Sequence, residues 1–251
     1  MASILDRYGI KEVADVVFWD TATGKPVLYL DTLKVSTIEE TAEQTEARGG
    51  KGNPPLIIWD YGKEITITLE DALFSMKSMS LMHNQDTEVI TPSAVRRGTQ
   101  FVTDSTNAAI PSTIPSNADI YDADGKQYSS ASDADPNTTF SSLAPNTKYL
   151  AGWIESGVTD AQQIVVKSND FPGTYRITGD TYARSQDTGK DEFFQFEVPL
   201  AKINPEQTIT MQAEGDPSTF SMTVRVMRPS DGKMMTLTKY SIVEAAATSG
   251  N

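Results

Sequence analysis

The sequence predicts a mainly β protein, an antiparallel β-sandwich with one flanking α-helix, and three observations carry that expectation. Short runs rich in Val, Ile, Thr, Phe and Tyr recur along the chain, separated by clusters of Gly, Pro, Asp and Asn. Within them apolar and polar residues alternate, as in Phe194, Phe196 and Val198 and again in Met222, Val224 and Val226, the period of a half-buried strand. A single stretch carries its apolar residues at helical spacing. With 251 residues the chain can bury a proper core as one large β domain or two smaller ones.

In chain order, residues 12–19 and 27–34 are two β-rich runs around the turn-rich segment 21–26, a hairpin signal. Residues 38–53 hold four glutamates, end in a glycine cluster and have no apolar face, so they read as an exposed loop. Residues 56–59 and 64–69 form a second strand pair around Asp60, Tyr61 and Gly62. Thr68 reads as a helix N-cap with Asp71 completing a capping box, and Ala72, Leu73, Met76, Met79 and Leu81 follow at helical spacing. Packing of this Met-rich helix on a sheet explains the stripe better than a binding groove does.

Beyond Thr91 the composition shifts, and residues 103–146 are dominated by Ser, Thr, Asn, Asp, Ala and Pro. Inside lies a hairpin signal, Asp119 to Tyr121 and Lys126 to Tyr128 around an Asp-Ala-Asp-Gly turn. The chain returns to strand at 149–154. The segment around Pro145 and Tyr149 is similar to the tyrosine corner of fibronectin-type domains, read here as a local corner. The expected organisation is therefore a discontinuous core, residues 1–91 and 158–251, with residues 92–157 as a polar, turn-rich, hairpin-containing surface insertion. The last third is the most regular: β patterns at 162–167, 174–183, 192–198, 208–213, 220–228 and 234–244, punctuated by turns.

Composition excludes several chemistries. The absence of cysteine removes disulfides, thiolate metal sites and a cysteine nucleophile. The lone histidine, His83, falls where the helix should end, a position favoured by the helix dipole, and no nucleophile elbow accompanies it. Gly49, Gly50, Lys51 and Gly52 lack the Ser or Thr after the lysine, and the following helix, that a phosphate loop needs. Asp122, Asp124, Asp133 and Asp135 lack the ligand spacing of a calcium loop. No catalytic, metal or cofactor site is expected. Thirty-four acidic residues against 21 Lys and Arg give a formal charge of −13, which opposes a protein that grips nucleic acid. Neither a membrane span nor a signal peptide is expected, and the chain reads as soluble and unprocessed. The crowded Glu39, Glu40, Glu43 and Glu46 read first as a solvated face; the other reading is a contact arm, with Arg48 and Lys51 reciprocating.

The stretches EETAEQTEARGGKGNPPLIIWDYGKEITITLEDALFS, FPGTYRITGDTYARSQDTGKDEFFQFEVPLAKI and TITMQAEGDPSTFSMTVRVMRPSDGKMMTL resemble structural proteins of tailed bacteriophages, and within that group the major tail tube proteins. The resemblance covers roughly half the chain, as whole strands and turns rather than a short motif. It implies a tail-tube fold, with inner strands of six subunits joined into a shared barrel, hexameric rings stacked into a hollow tube, and DNA in transit through the lumen. It implies partners: the chain itself, a tape measure protein in the lumen, terminator and baseplate at the ends, a sheath where one exists, and no membrane. It also implies a place in the virion, assembled in the host cytoplasm, and no enzymatic role. In such tubes a long loop reaches the neighbouring ring. On position that loop is residues 39–53, which favours Glu39, Glu40, Glu43, Glu46, Arg48 and Lys51 as contact residues. Alternatives are a capsid, decoration or baseplate protein, or a carbohydrate-binding or adhesion module using exposed aromatics such as Trp153.

Overall fold

The computed structural model describes residues 7–83, 89–106, 109–129, 143–206 and 219–241. In chain order the elements are β1 (Tyr8–Ile10), β2 (Asp15–Asp20), β3 (Pro26–Leu30), β4 (Leu33–Arg48), β5 (Pro55–Asp71), α1 (Met76–His83), β6 (Ala94–Val102), β7 (Asp119–Tyr121), β8 (Gln127–Ser129), β9 (Lys148–Ser156), β10 (Thr174–Ser185), β11 (Asp191–Ile203), β12 (Phe220–Val226) and β13 (Thr236–Tyr240). The protein is mainly β, its described sheets are antiparallel, and neither closes into a barrel. Two compact units result: Met1–Val89 with Ile164–Asn251, and Ile90–Gln163.

The larger unit is one nine-stranded sheet with the order β3-β2-β10-β11-β12-β5-β4, to which β1 adds on β10 and β13 on β11. Its core follows from strand alternation: Val16 and Phe18 from β2, Ile65, Ile67 and Leu69 from β5, Tyr175 and Ile177 from β10, Phe196 and Val198 from β11, and Met222 and Val224 from β12 are all buried. Strands from both ends of the path share this core with Leu81 and Met82 of α1. Over β10 the phenyl ring of Phe196 occupies the space a side chain at Gly179, its cross-strand partner, would need. β11 is flanked on one edge by two partners in succession, β13 along Phe193 to Glu197 and β12 along Ala201 to Ile203, so Pro199 falls between the two ladders, where its missing N–H breaks neither.

The β2–β3 hairpin forms where expected, and Asp20 holds its turn. One carboxylate oxygen accepts from the Ala22 and Thr23 amides and the Thr23 hydroxyl. These bonds hold the Asp20 pKa below its ordinary value. The helix begins later than the capping signature indicates. Thr68 sits in β5, paired with Thr37 and Thr223, because Ile65, Ile67, Leu69 and Asp71 bury one face at period two. The N-cap is Ser75, whose hydroxyl accepts from the Ser78 amide at 3.0 Å while the Ser78 hydroxyl accepts from the Ser75 amide at 3.0 Å, a reciprocal box built from two serines. Ala72 and Leu73 precede the helix, and Leu73 is exposed.

Other expectations also change. Residues 38–53 are not a loop: β4 runs unbroken to Arg48 and pairs with β5, so the polar stretch is ordered by its ladder rather than by burial. Residues 56–59 and 64–69 are one strand, with Gly62 inside it. Residues 162–167 contribute a single bridge, Ile90 to Gln163, rather than a strand. The pattern at 208–213 lies outside the described residues, as do Asp133 and Asp135.

The second unit is a four-stranded sheet of order β6-β9-β7-β8 with its own core of Phe101, Ile114, Ala118, Ile120, Leu143, Tyr149, Ala151 and Trp153. Tyr149 makes the corner expected of it, its hydroxyl accepting the Ala144 amide at 3.0 Å. Buried Thr103 completes the corner by donating to the Ala144 carbonyl at 2.7 Å and accepting the Thr147 amide at 2.9 Å. Trp153 is buried, not exposed; its indole N–H donates to Glu155, and the Arg97 guanidinium lies 5.2 Å over its ring. The aromatic argument for an adhesion surface therefore falls away at this residue.

Candidate assembly surface

β4 and β5 are the two longest strands, yet β12 pairs with β5 only from Thr66 to Asp71. Beyond that point, toward the turn, each of the two strands has only the other as ladder partner among the described residues. The free section from the Thr41–Glu64 pair to the Arg48–Pro55 pair is about 24 Å long at 3.4 Å per residue. At its tip Gly50, Gly52 and Asn53 take positive φ angles of 85°, 84° and 49°, which is the task of the glycine cluster: a tight connection between strands, with no helix to receive phosphate.

The outer part of β5 is strongly apolar and uncovered. Leu56, Ile57, Ile58, Trp59 and Tyr61 are each 50% exposed or more. These large apolar side chains, divided between the two faces of the ribbon, are surface of the kind that marks interaction sites, and a lone two-stranded ribbon is marginally stable until something packs on it.

Pairing register decides which residues share a face. Between the Thr41–Glu64 and Glu43–Tyr61 pairs, β4 advances two residues and β5 three, so β5 carries a bulge at Gly62 and Lys63, with Gly62 at φ 62°. The extra residue inverts the alternation. Ile65, Ile67 and Leu69 face the core, whereas Ile57, Trp59 and Tyr61 lie on the opposite face, directly across from Ala47, Thr45 and Glu43. Glu39 shares that face, since it pairs with Thr66.

Of the six residues singled out from sequence, Glu43, Glu46, Arg48 and Lys51 lie on the free arm, while Glu39 and Glu40 lie at its root, Glu39 where β12 still pairs with β5. Glu39, Glu40, Glu43, Glu46 and Arg48 are exposed positions of β4, and Lys51 is in the tip turn. Glu46 pairs with Arg48 and Glu40 with Lys63, so two of the four glutamates are engaged within the chain. Glu39, Glu43 and Lys51 have no ion pair among the described residues. Sequence reading missed the apolar half of the arm: it takes residues 56–59 as one strand of a pair closed by a turn at Asp60, Tyr61 and Gly62, whereas Leu56, Ile57, Ile58, Trp59 and Tyr61 lie exposed on a strand that continues through Gly62.

At the base of the arm lies an open cleft of about 760 Å³, lined by Lys63, Lys202, Arg225 and Arg228 with Met227, Met234 and Pro205 among others. Among the described lining residues Glu64 is its only carboxylate and holds Arg225 at 2.8 Å. Among the described residues β3 and β4 end the strand path, each with one side unpaired.

Elsewhere, catalytic signals do not assemble. His83 is the last residue of α1. The Asp122 carboxylate accepts from the Asp124 and Lys126 amides and the Tyr128 hydroxyl, which closes the β7–β8 turn and holds its pKa below the ordinary carboxylate value. Among the described residues no cluster of three or more His, Asp or Glu could hold a metal ion, and no helix is long and apolar enough to cross a membrane.

Comparison with known proteins supplies the family. Residues 8–240 match the YomU/Tube protein family. One relative, the "Tail tube protein" of Bacillus phage SPR, is 23% identical over 207 residues, covering 82% of this chain and 78% of that protein. With the match spanning both units and both strands of the arm, the chain belongs to the YomU/Tube protein family, a family of phage tail tube proteins, which are structural components of the virion and not enzymes.

Proposed function

We propose that the protein is the repeating subunit of a phage tail tube, polymerising as stacked hexameric rings whose inner strands join into a barrel around a DNA conduit. The observation that carries this is the arm: a two-stranded ribbon about 24 Å long with five exposed large apolar residues, which has little reason to exist on a solitary molecule. Association of copies satisfies the open β edges and covers that apolar surface together. In this reading Glu39, Glu40, Glu43, Glu46, Arg48 and Lys51 are contact residues between subunits, and the surrounding sandwich of strands is the tube wall. Residues 92–157 project outward, where added mass does not obstruct the channel. A tape measure protein occupies the lumen during assembly, terminator and baseplate proteins close the ends, and a sheath surrounds the tube in a contractile tail.

The charge of −13 per chain is repeated in every subunit, and an excess of carboxylates on the lumen wall would keep DNA from adhering within the roughly 8 Å screening distance at physiological salt. Negative-stain microscopy of the purified chain tests the assembly: hollow tubes of stacked six-fold rings are expected, and monomers under all conditions would refute it. A reconstruction with a net basic lumen would refute the charge argument separately.

A further inference from the structure

We infer that the cationic cleft at the base of the arm is the receptor for the arm of a second copy, with Glu43 and Glu39 of one molecule meeting Lys202 and Arg228 of another while Trp59 and Tyr61 cover Met227 and Met234. This deepens the assembly reading and rests on it for the identity of the partner.

Two independent observations single out the cleft. In a chain with 34 acidic and 21 basic residues, four cations line one cavity against a single carboxylate among the described lining residues. Moreover, Lys202 and Arg225 stand directly opposite each other on β11 and β12. Like charges in a cross-strand pair destabilise a sheet. Glu64 engages Arg225 but, among the described residues, no carboxylate lies within ion-pair distance of Lys202 or Arg228.

The arm supplies the matching surface. The segment from Glu39, at its root, to Tyr61 carries five carboxylates against Arg48 and Lys51. Glu39 and Glu43, which make no ion pair among the described residues, lie on the same face as Trp59 and Tyr61 because of the Gly62 bulge. A face combining carboxylates with aromatics fits a cleft combining cations with thioethers: carboxylate to ammonium or guanidinium, ring to sulfur. Within one molecule Glu39, Thr66, Arg225 and Lys202 form one cross-strand row on this face, and among the described residues Glu39 makes no ion pair there. Nucleic acid is the other polyanion such a cleft could take, but it offers no apolar surface to Met227 and Met234, and the remaining charge of the chain repels it.

The absence of cysteine gives a clean test on the full-length chain. Glu43→Cys and Arg228→Cys in one polypeptide should, under mild oxidation, yield a disulfide-linked ladder of dimers and higher multimers; Glu43→Cys with a cysteine at exposed Thr21 should not. In parallel, K202E/R228E and E39K/E43K should each keep the native circular dichroism and raise the protein concentration needed for tubes by about tenfold or more. The four-fold charge swap should restore assembly. Tubes without the ladder, or tubes indifferent to K202E/R228E, would overturn the inference, as would a labelled DNA duplex bound by the wild type and lost in K202E/R228E while assembly is unchanged. A ladder without tubes would instead uphold the contact and refute the tube reading.

Discussion

Gly179 offers the sharpest test of the packing. A Cβ built there would lie 2.1 Å from Cε1 and 2.2 Å from Cζ of Phe196, far inside van der Waals contact. Phe196 is 3% exposed and belongs to the buried core cluster. Gly179→Ala therefore demands a ring shift of more than about 1 Å in a close-packed interior, an overpacking cost of about 1–3 kcal/mol. For a unit of this size each kcal/mol moves Tm by about 2–4 °C, so the transition should fall by roughly 2–12 °C in differential scanning calorimetry. Gly9→Ala is the control. No atom lies within 4 Å of the new methyl group, and Tm should hold within about 1 °C. Phe196→Leu in the Gly179→Ala background makes room for the methyl group, so the double variant should be more stable than the sum of the two single effects by about 1 kcal/mol. A Gly179→Ala protein with unchanged Tm, or strict additivity in the double variant, would refute the reasoning.

Other expectations concern the second unit and the arm. Tyr149→Phe deletes the acceptor of the Ala144 amide in a mostly buried corner and should destabilise that unit by about 1–3 kcal/mol, read by Trp153 fluorescence in a Trp19→Phe, Trp59→Phe background. Asp122 should titrate below its ordinary 3.8, because the Lys126 amide first, then the Tyr128 hydroxyl and Asp124 amide, favour its ionised form. A depressed carboxylate contributes stability above its unfolded pKa and loses it as pH falls through the folded one. The β7–β8 turn should thus loosen only in the acid limb below about pH 4, and Asp122→Asn should remove that pH dependence in amide hydrogen exchange; an Asp122 carboxyl resonance titrating above 4 would contradict this. Trp59→Ala removes a half-exposed side chain and should leave Tm within about 1 °C while impairing assembly in sedimentation; a large fall in Tm would mean the arm packs on its own molecule.

Turn chemistry was the most legible layer of the sequence. The Asp20 turn, the Asp122–Gly125 turn and the turn at Gly189 appear where Asp and Gly placed them, because each depends on a few local hydrogen bonds and a positive φ. Strand existence in β2, β10, β11 and β12 was equally plain from alternation. The arm was not, for a physical reason. Period-two reading detects contrast between a buried and a solvated face, and a ribbon exposed on both sides has none, so β4 looks like a loop and β5 like two short strands around a turn at Gly62. The start of α1 was misplaced because Thr68 and Asp71 satisfy a capping pattern that the buried face of β5 overrides. The core of the second unit escaped notice because Phe101, Ile114, Ile120, Leu143 and Tyr149 are scattered singly among Ser, Thr and Asp over some fifty positions. Arg48, already a candidate partner from sequence, engages Glu46 on its own strand, whereas Lys63, the partner of Glu40, emerges only from the register of β4 on β5.

The bulge at Gly62 gives the arm an unusual evolutionary freedom. Because a single extra residue sets which face carries Ile57, Trp59 and Tyr61, loss of Lys63 alone would restore simple alternation and carry all three to the other side of the ribbon, with Ile65, Ile67 and Leu69 untouched in the core. One in-frame codon deletion could therefore exchange the partner-facing side of the subunit while the folded body stayed the same, a route by which related phages could diverge in how their subunits recognise one another without first rebuilding the protein that does the recognising.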